Sequence, residues 1–163
     1  MNVLIKNREI VPNTLIKVAD DAPLPASGTA IIPLARLQLE KSPELQNIGA
    51  LIPNTADFSL IWPQIQNCSL IALEFPAFGD GRAYSQARLL RDRYGYKGDI
   101  LATGAAVVRD QIFGMQRCGI NMFELRHDQN PAQCLSAMKD FSDAYQPAAD
   151  KILTVRLKRL AAT

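Results

Sequence analysis

Ser69-Leu70-Ile71-Ala72-Leu73-Glu74-Phe75-Pro76-Ala77-Phe78-Gly79-Asp80-Gly81-Arg82-Ala83-Tyr84-Ser85 is the stretch whose reading decides the fold. Its first seven residues are almost wholly apolar, as expected of a strand covered on both faces. Its last residues open a helix over residues 83–94. There Ala83, Ala87, Leu90 and Tyr94 fall at i, i+4, i+7 and i+11, on one face. Gly95 follows as a stop. Strand, glycine-bearing loop and helix make one unit.

The same unit recurs on either side. Downstream, Asp99–Thr103 reads as a strand and Gly104 as a turn. Residues 105–118 read as a helix with Val108, Ile112 and Met115 on one face, Gly119 as its stop, and residues 120–125 as a strand. Upstream, Thr29–Pro33 is a strand before a helix over residues 34–41 that Ser42-Pro43 ends. Ile48–Ile52 is a strand before a helix over residues 60–66, broken at Pro63. Helices of this length between apolar strands mean parallel pairing with right-handed crossovers. The expected class is therefore α/β: a mainly parallel sheet built from β-α-β units with helices on both faces. An open sheet is the first form and a curved, half-barrel-like β/α sheet the alternative.

At the N-terminus, residues 3–5 and 15–18 read as the strands of a small hairpin turning at Pro12-Asn13. Near the other end, Asn130 caps a helix with Pro131 at its first position, and Cys134, Leu135, Met138 and Phe141 form its core face. Residues 148–163 hold Lys151, Arg156, Lys158 and Arg159 and read as a basic tail, mobile or docked on a partner.

The whole chain, residues 1–163, fits a single domain. Its hydrophobic fraction of 48% and charged fraction of 21% suit a globular protein. A net charge of +2 does not support nucleic-acid binding. No run approaches the ~20 apolar residues of a membrane span, and Met1 to Arg8 lacks the apolar core of a signal peptide. Cys68, Cys118 and Cys134 are odd in number and widely spaced, as for buried thiols in a reducing compartment. A soluble, cytoplasmic protein is expected.

Ligands of parallel sheets sit beyond the C-terminal ends of the strands. Four loops belong there: Pro53-Asn54-Thr55, residues 76–82, Thr103-Gly104 and Arg126-His127-Asp128. In the second, Gly79 and Gly81 permit close backbone approach, and Arg82 stands at a helix mouth, which together suit an anion. A tight turn with Asp80 capping the helix is the plainer account of the same residues. The ligand- or partner-binding candidates are Asp80, Gly81, Arg82, Tyr84, Ser85, Arg88, Arg109 and Asp110, with Arg109-Asp110 placed to face the same crevice as Arg82. Arg88 and Asp92 suit an i, i+4 pair. Glu74 and Glu124 end their strands alike, but with a strand between them they would lie ~10 Å apart, and a nearby arginine is the expected partner. His127 reads as a surface residue. No dinucleotide fingerprint, P-loop or metal-ligand spacing is present, and three scattered cysteines do not supply an iron–sulfur cluster. The cofactor is thus unassigned, with a flavin compatible.

Together these residues resemble a bacterial family of uncharacterised proteins linked to assimilatory sulfite reduction. The resemblance runs from about Pro23 to Pro147. It rests on residues 31–36, the long motif of residues 75–85, residues 87–95, Val108-Arg109-Asp110-Gln111, Arg117-Cys118-Gly119 and Tyr145-Gln146-Pro147. The family pattern carries Thr in place of Gly79 and an acidic residue in place of Ala105. The resemblance implies a role in sulfite reduction and cysteine biosynthesis, and some members are labelled oxidoreductases. The partner it implies is the haemoprotein subunit of sulfite reductase or its electron donor. An electron carrier needs a redox centre, so an accessory protein that docks is the first expectation. An oxidoreductase, or an enzyme binding a small anion or a flavin at residues 79–82, is the second.

Overall fold

The computed structural model describes residues 3–39, 47–150 and 152–161. Eight strands form one sheet: β1 (Val3–Lys6), β2 (Glu9–Pro12), β3 (Leu15–Lys17), β4 (Thr29–Pro33), β5 (Ile48–Ile52), β6 (Leu70–Glu74), β7 (Asp99–Thr103) and β8 (Met122–Phe123). The helices are α1 (Leu34–Leu39), α2 (Phe58–Ile65), α3 (Arg82–Arg88), α4 (Arg109–Arg117), α5 (Pro131–Ala137) and α6 (Val155–Ala161). The spatial order is β2-β1-β8-β7-β6-β5-β4-β3. Strands β3 to β8 are parallel, and β1 joins β8 antiparallel.

Strands β3 to β8 follow one another in space as in sequence. Right-handed crossovers that all step the same way place every helix on the same side. The burial confirms this. Ile32, Ala50, Ile71, Leu73, Ile100 and Phe123 pack with Leu37, Ile61, Ala87, Ile112 and Cys134 from five helices. The opposite face is filled by strand residues alone, Leu4, Ile31, Leu70, Ala72, Leu101 and Met122. The sheet is thus the curved half-barrel, and among the described residues no second layer of helices covers its inner face: the sheet covers that face by curling. Each such buried aliphatic contributes roughly 1.5–3 kcal/mol.

The N-terminal hairpin exists with a different second strand. Residues 3–6 turn at Asn7-Arg8 and pair with residues 9–12. Asn7 and Arg8 both have positive φ, 50° and 68°, as a tight two-residue hairpin turn requires. Pro12 sits in β2 because that strand is an edge and needs no further donor. Leu15–Lys17 instead pairs parallel with β4 at the far edge. Only Asn13 and Thr14 separate β2 from β3, so the two edges lie within about 11 Å.

Several boundaries differ from those expected. Helix α2 starts at Phe58, capped by Asp57, and runs through Pro63. Proline's missing donor there strands only the carbonyl of exposed Ser59. Helix α4 begins at Arg109, because residues 104–108 form a turn before extended Val108. Strand β8 has two residues. Helix α3 continues into a π-helical turn at Leu89–Arg93, which ends at Gly95 with φ 63°. Asn130 caps α5 as expected, but Phe141 is exposed and leans on Phe113. The expected end of the helix after Leu34 at Ser42-Pro43 lies outside the described residues. The basic tail contains α6, none of whose residues is buried. No helix is long and apolar enough to cross a membrane, among the described residues.

Candidate functional site

The four expected loops do meet at the C-terminal end of the parallel strands, tied by side chains. Asn54 donates to the Asp80 carboxylate at 2.7 Å. Buried Gln86 donates to the carbonyls of Pro53 and Ala56 at 3.1 and 3.2 Å. Gly104, at φ 116°, lies so close to Phe75 that an added Cβ would stand 2.6 Å from its carbonyl oxygen. Arg126 pairs with Asp128 and donates to the Ala105 carbonyl.

Within this frame Asp80 and Arg82 face each other. The guanidinium grips the carboxylate at 2.6 and 3.0 Å, and the Arg82 backbone N–H donates to it as well. The Arg82 hydrogen bonds hold the Asp80 carboxyl well below the usual carboxylate range. The charge of Arg82 is therefore matched within the loop. Gly79 and Gly81 have open space around them, so a side chain such as Thr fits at position 79.

The eight candidates fall into three places. Asp80, Gly81 and Arg82 shape the loop. Tyr84 stands edge-on to Phe75, its hydroxyl bonded to Gln111, and burial pushes its phenol up to about 12. Ser85 and Arg88 line a groove of about 530 Å³ with Tyr84 and Cys118, where Arg88 pairs with Asp92 at 2.6 Å as anticipated. Arg109 turns away from Arg82. It pairs with Asp140 at 3.1 Å, and more loosely with Asp110 at 3.5 Å. Gln111, not Arg109, is the α4 residue that reaches residues 76–82, donating to the Phe78 carbonyl at 3.4 Å.

The concave face holds a second polar group. Lys17 reaches Glu124 at 2.6 Å and Thr103 at 3.2 Å, and the buried Thr103 hydroxyl donates to Glu124. Glu74 pairs in register with Thr103 across β6 and β7. As expected, a strand separates Glu74 from Glu124, but the partner of Glu124 is a lysine, not an arginine. Lys17 was out of reach of sequence reasoning, since nothing local links β3 to residue 124. His127 is exposed, and Cys118, unlike Cys68 and Cys134, is only partly buried. Among the described residues, no three His, Cys, Asp or Glu side chains are grouped to hold a metal.

Fold and loops define an α/β protein with a curved, mostly parallel sheet and cross-tied loops at its C-terminal end. A family model described as "Bacterial protein of unknown function (DUF934)" matches residues 49–155. That is well over half of the chain, and the protein belongs to this family. No curated protein shows significant similarity to it.

Proposed function

We propose that this protein is a cytoplasmic accessory factor of assimilatory sulfite reduction, docking on the sulfite reductase haemoprotein or on its electron donor. One observation carries the docking element. Tyr145, Leu153, Leu157 and Leu160 are exposed on the C-terminal segment, Tyr145 to 90%, beside Arg156, Lys158 and Arg159. Large exposed apolar residues mixed with arginine are the composition of protein interfaces. The sulfur-metabolic setting rests on the family resemblance of residues 75–85 and their flanks. The test is co-purification of the full chain with the haemoprotein, with and without Leu157→Asp and Leu160→Asp. Binding lost in the double variant supports the reading. Normal growth of a deletion strain on sulfate as sole sulfur source overturns it.

A second reading is an oxidoreductase or a small-anion- or flavin-binding enzyme at residues 79–82. It is favoured by the open space at Gly79 and Gly81, which lets a ligand approach the backbone, and by the exposed ring of Phe78. A flavin band in the absorbance spectrum of the purified protein, or a melting shift with sulfite or phosphate that Arg82→Ala removes, would favour it over docking.

A further inference from the structure

The stretch from Asp140 to Ala161 holds three acids, and each is already engaged. Asp140 pairs with Arg109 at 3.1 Å, Asp143 with Lys158 at 2.6 Å and Asp150 with Arg117 at 2.8 Å. Arg156 and Arg159 of α6 are left over. Both are exposed, and neither makes an ion pair among the described residues.

Helix α6 is fastened through its first turn and Lys158. The Val155 N–H donates to the Ala144 carbonyl at 2.9 Å, Thr154 before it is buried, and Lys158 donates to the Ser142 carbonyl and to Asp143. At 100° per residue, Arg156 lies on the side opposite Lys158. A groove of about 710 Å³ runs between α6 on one side and Tyr145 and Pro147 on the other. Val155 and Leu157 add to its apolar walls, both unmatched guanidiniums border it, and no acidic side chain lines it.

Charge decides what fits. Two arginines without a counter-ion call for carboxylates, which a guanidinium binds through two parallel hydrogen bonds. Tyrosine and arginine around a concave apolar floor are the anchors of protein interfaces. A flat lipid surface would leave the groove unfilled, and a helix of seven residues offers it little apolar area. A second copy docked face to face would set one basic α6 against another. We propose that the groove takes an acidic segment of a partner protein, with an apolar anchor seated on Tyr145 and Leu157 and carboxylates on Arg156 and Arg159. This rests on the reading of the C-terminal segment as the docking element and adds the chemistry of what docks there.

Fluorescence anisotropy of the full chain with a short labelled peptide of glutamate, leucine and phenylalanine tests it. Two control peptides carry glutamine for glutamate, or alanine for leucine and phenylalanine. The acidic peptide is expected to bind about tenfold or more tighter than either, and more weakly as salt rises from about 0.05 to about 0.5 M. The double variant Arg156→Glu, Arg159→Glu changes only exposed side chains and should melt as wild type does. It should lose the acidic peptide about tenfold or more and gain a peptide with lysine for glutamate. If no peptide binds, if the glutamine peptide binds as well, or if the charge-reversed chain binds the acidic peptide as wild type does, the proposal fails. Tighter binding to phosphatidylserine vesicles, or a dimer that the charge reversal dissolves, overturns it in favour of lipid or a second copy. Co-purification with the haemoprotein is read separately. If it survives the charge reversal but not Leu157→Asp with Leu160→Asp, docking stands and the acidic partner falls. If the acidic peptide binds and the haemoprotein does not, the groove's chemistry stands and that partner falls.

Discussion

Lys17 Nζ lies 2.6 Å from Glu124 Oε2, although β3, which holds Lys17, and β8, which ends one residue before Glu124, are five places apart in the sheet. In a flat sheet that separation is about 24 Å, far beyond a lysine's reach. The contact therefore measures the curl of the sheet. It is half-exposed, so its energy is modest: Lys17→Met is expected to cost under about 1 kcal/mol in urea unfolding. A double-mutant cycle with Glu124→Gln checks this, and coupling well above that value would make the pair a structural clamp.

Gly104 and Gly79 should respond oppositely to alanine. At Gly104 the backbone has φ 116° and the new Cβ meets the Phe75 carbonyl, so Gly104→Ala should cost at least about 2 kcal/mol. Gly79→Ala enters open space and should change stability by no more than about 0.5 kcal/mol. Equilibrium denaturation of the two variants distinguishes them.

Asp80 gives the loop at residues 76–82 a defined acid response. Its folded pKa lies below the unfolded value of about 3.9. The stabilisation is present above that pH and is lost as pH falls through the folded value. Protection of the loop amides, taken relative to their intrinsic exchange rate at each pH, should be steady from neutral pH down to about 4.5 and fall below about 4, and Asp80→Asn should flatten that fall.

The thiols should separate by burial. Burial pushes the Cys68 thiol up to about 11, and Cys134 is wholly enclosed. Under native conditions only Cys118, beside the Ser85–Arg88 groove, should react with an aromatic disulfide at pH 8. All three should react once the chain is unfolded. Rapid native reaction at Cys68 would contradict this packing.

Arg8 holds its place in the hairpin turn at a cost in stability. Arg8→Gly relieves a positive φ and should raise stability by about 1 kcal/mol, read as a higher denaturation midpoint.

The parallel strands were legible because each is a short apolar run bounded by glycine, proline or a helical period. Thr29–Pro33, Ile48–Ile52 and Asp99–Thr103 match the structure end to end. The hairpin was half legible. Pro12-Asn13 imitates a turn, whereas the true turn, Asn7-Arg8, lacks the glycine that advertises one. The one-sided helices were hidden because a strand apolar on both faces reads the same whether its second face meets helices or the curled sheet itself. At the site, the Arg88–Asp92 pair was local and visible. The Lys17–Thr103–Glu124 group was not, because only the curvature brings it together.

The Asn13-Thr14 link also sets an order of assembly. Val3–Lys6 leaves the ribosome long before the strand it pairs with, Met122–Phe123, the last of the described sheet to be made. Until it emerges, Leu4 and Ile5, both buried in the finished fold, have no core to enter. The nascent chain must carry this hairpin unseated until Phe123 has been made, and a product cut short before that residue leaves an apolar strand open to pairing with its neighbours.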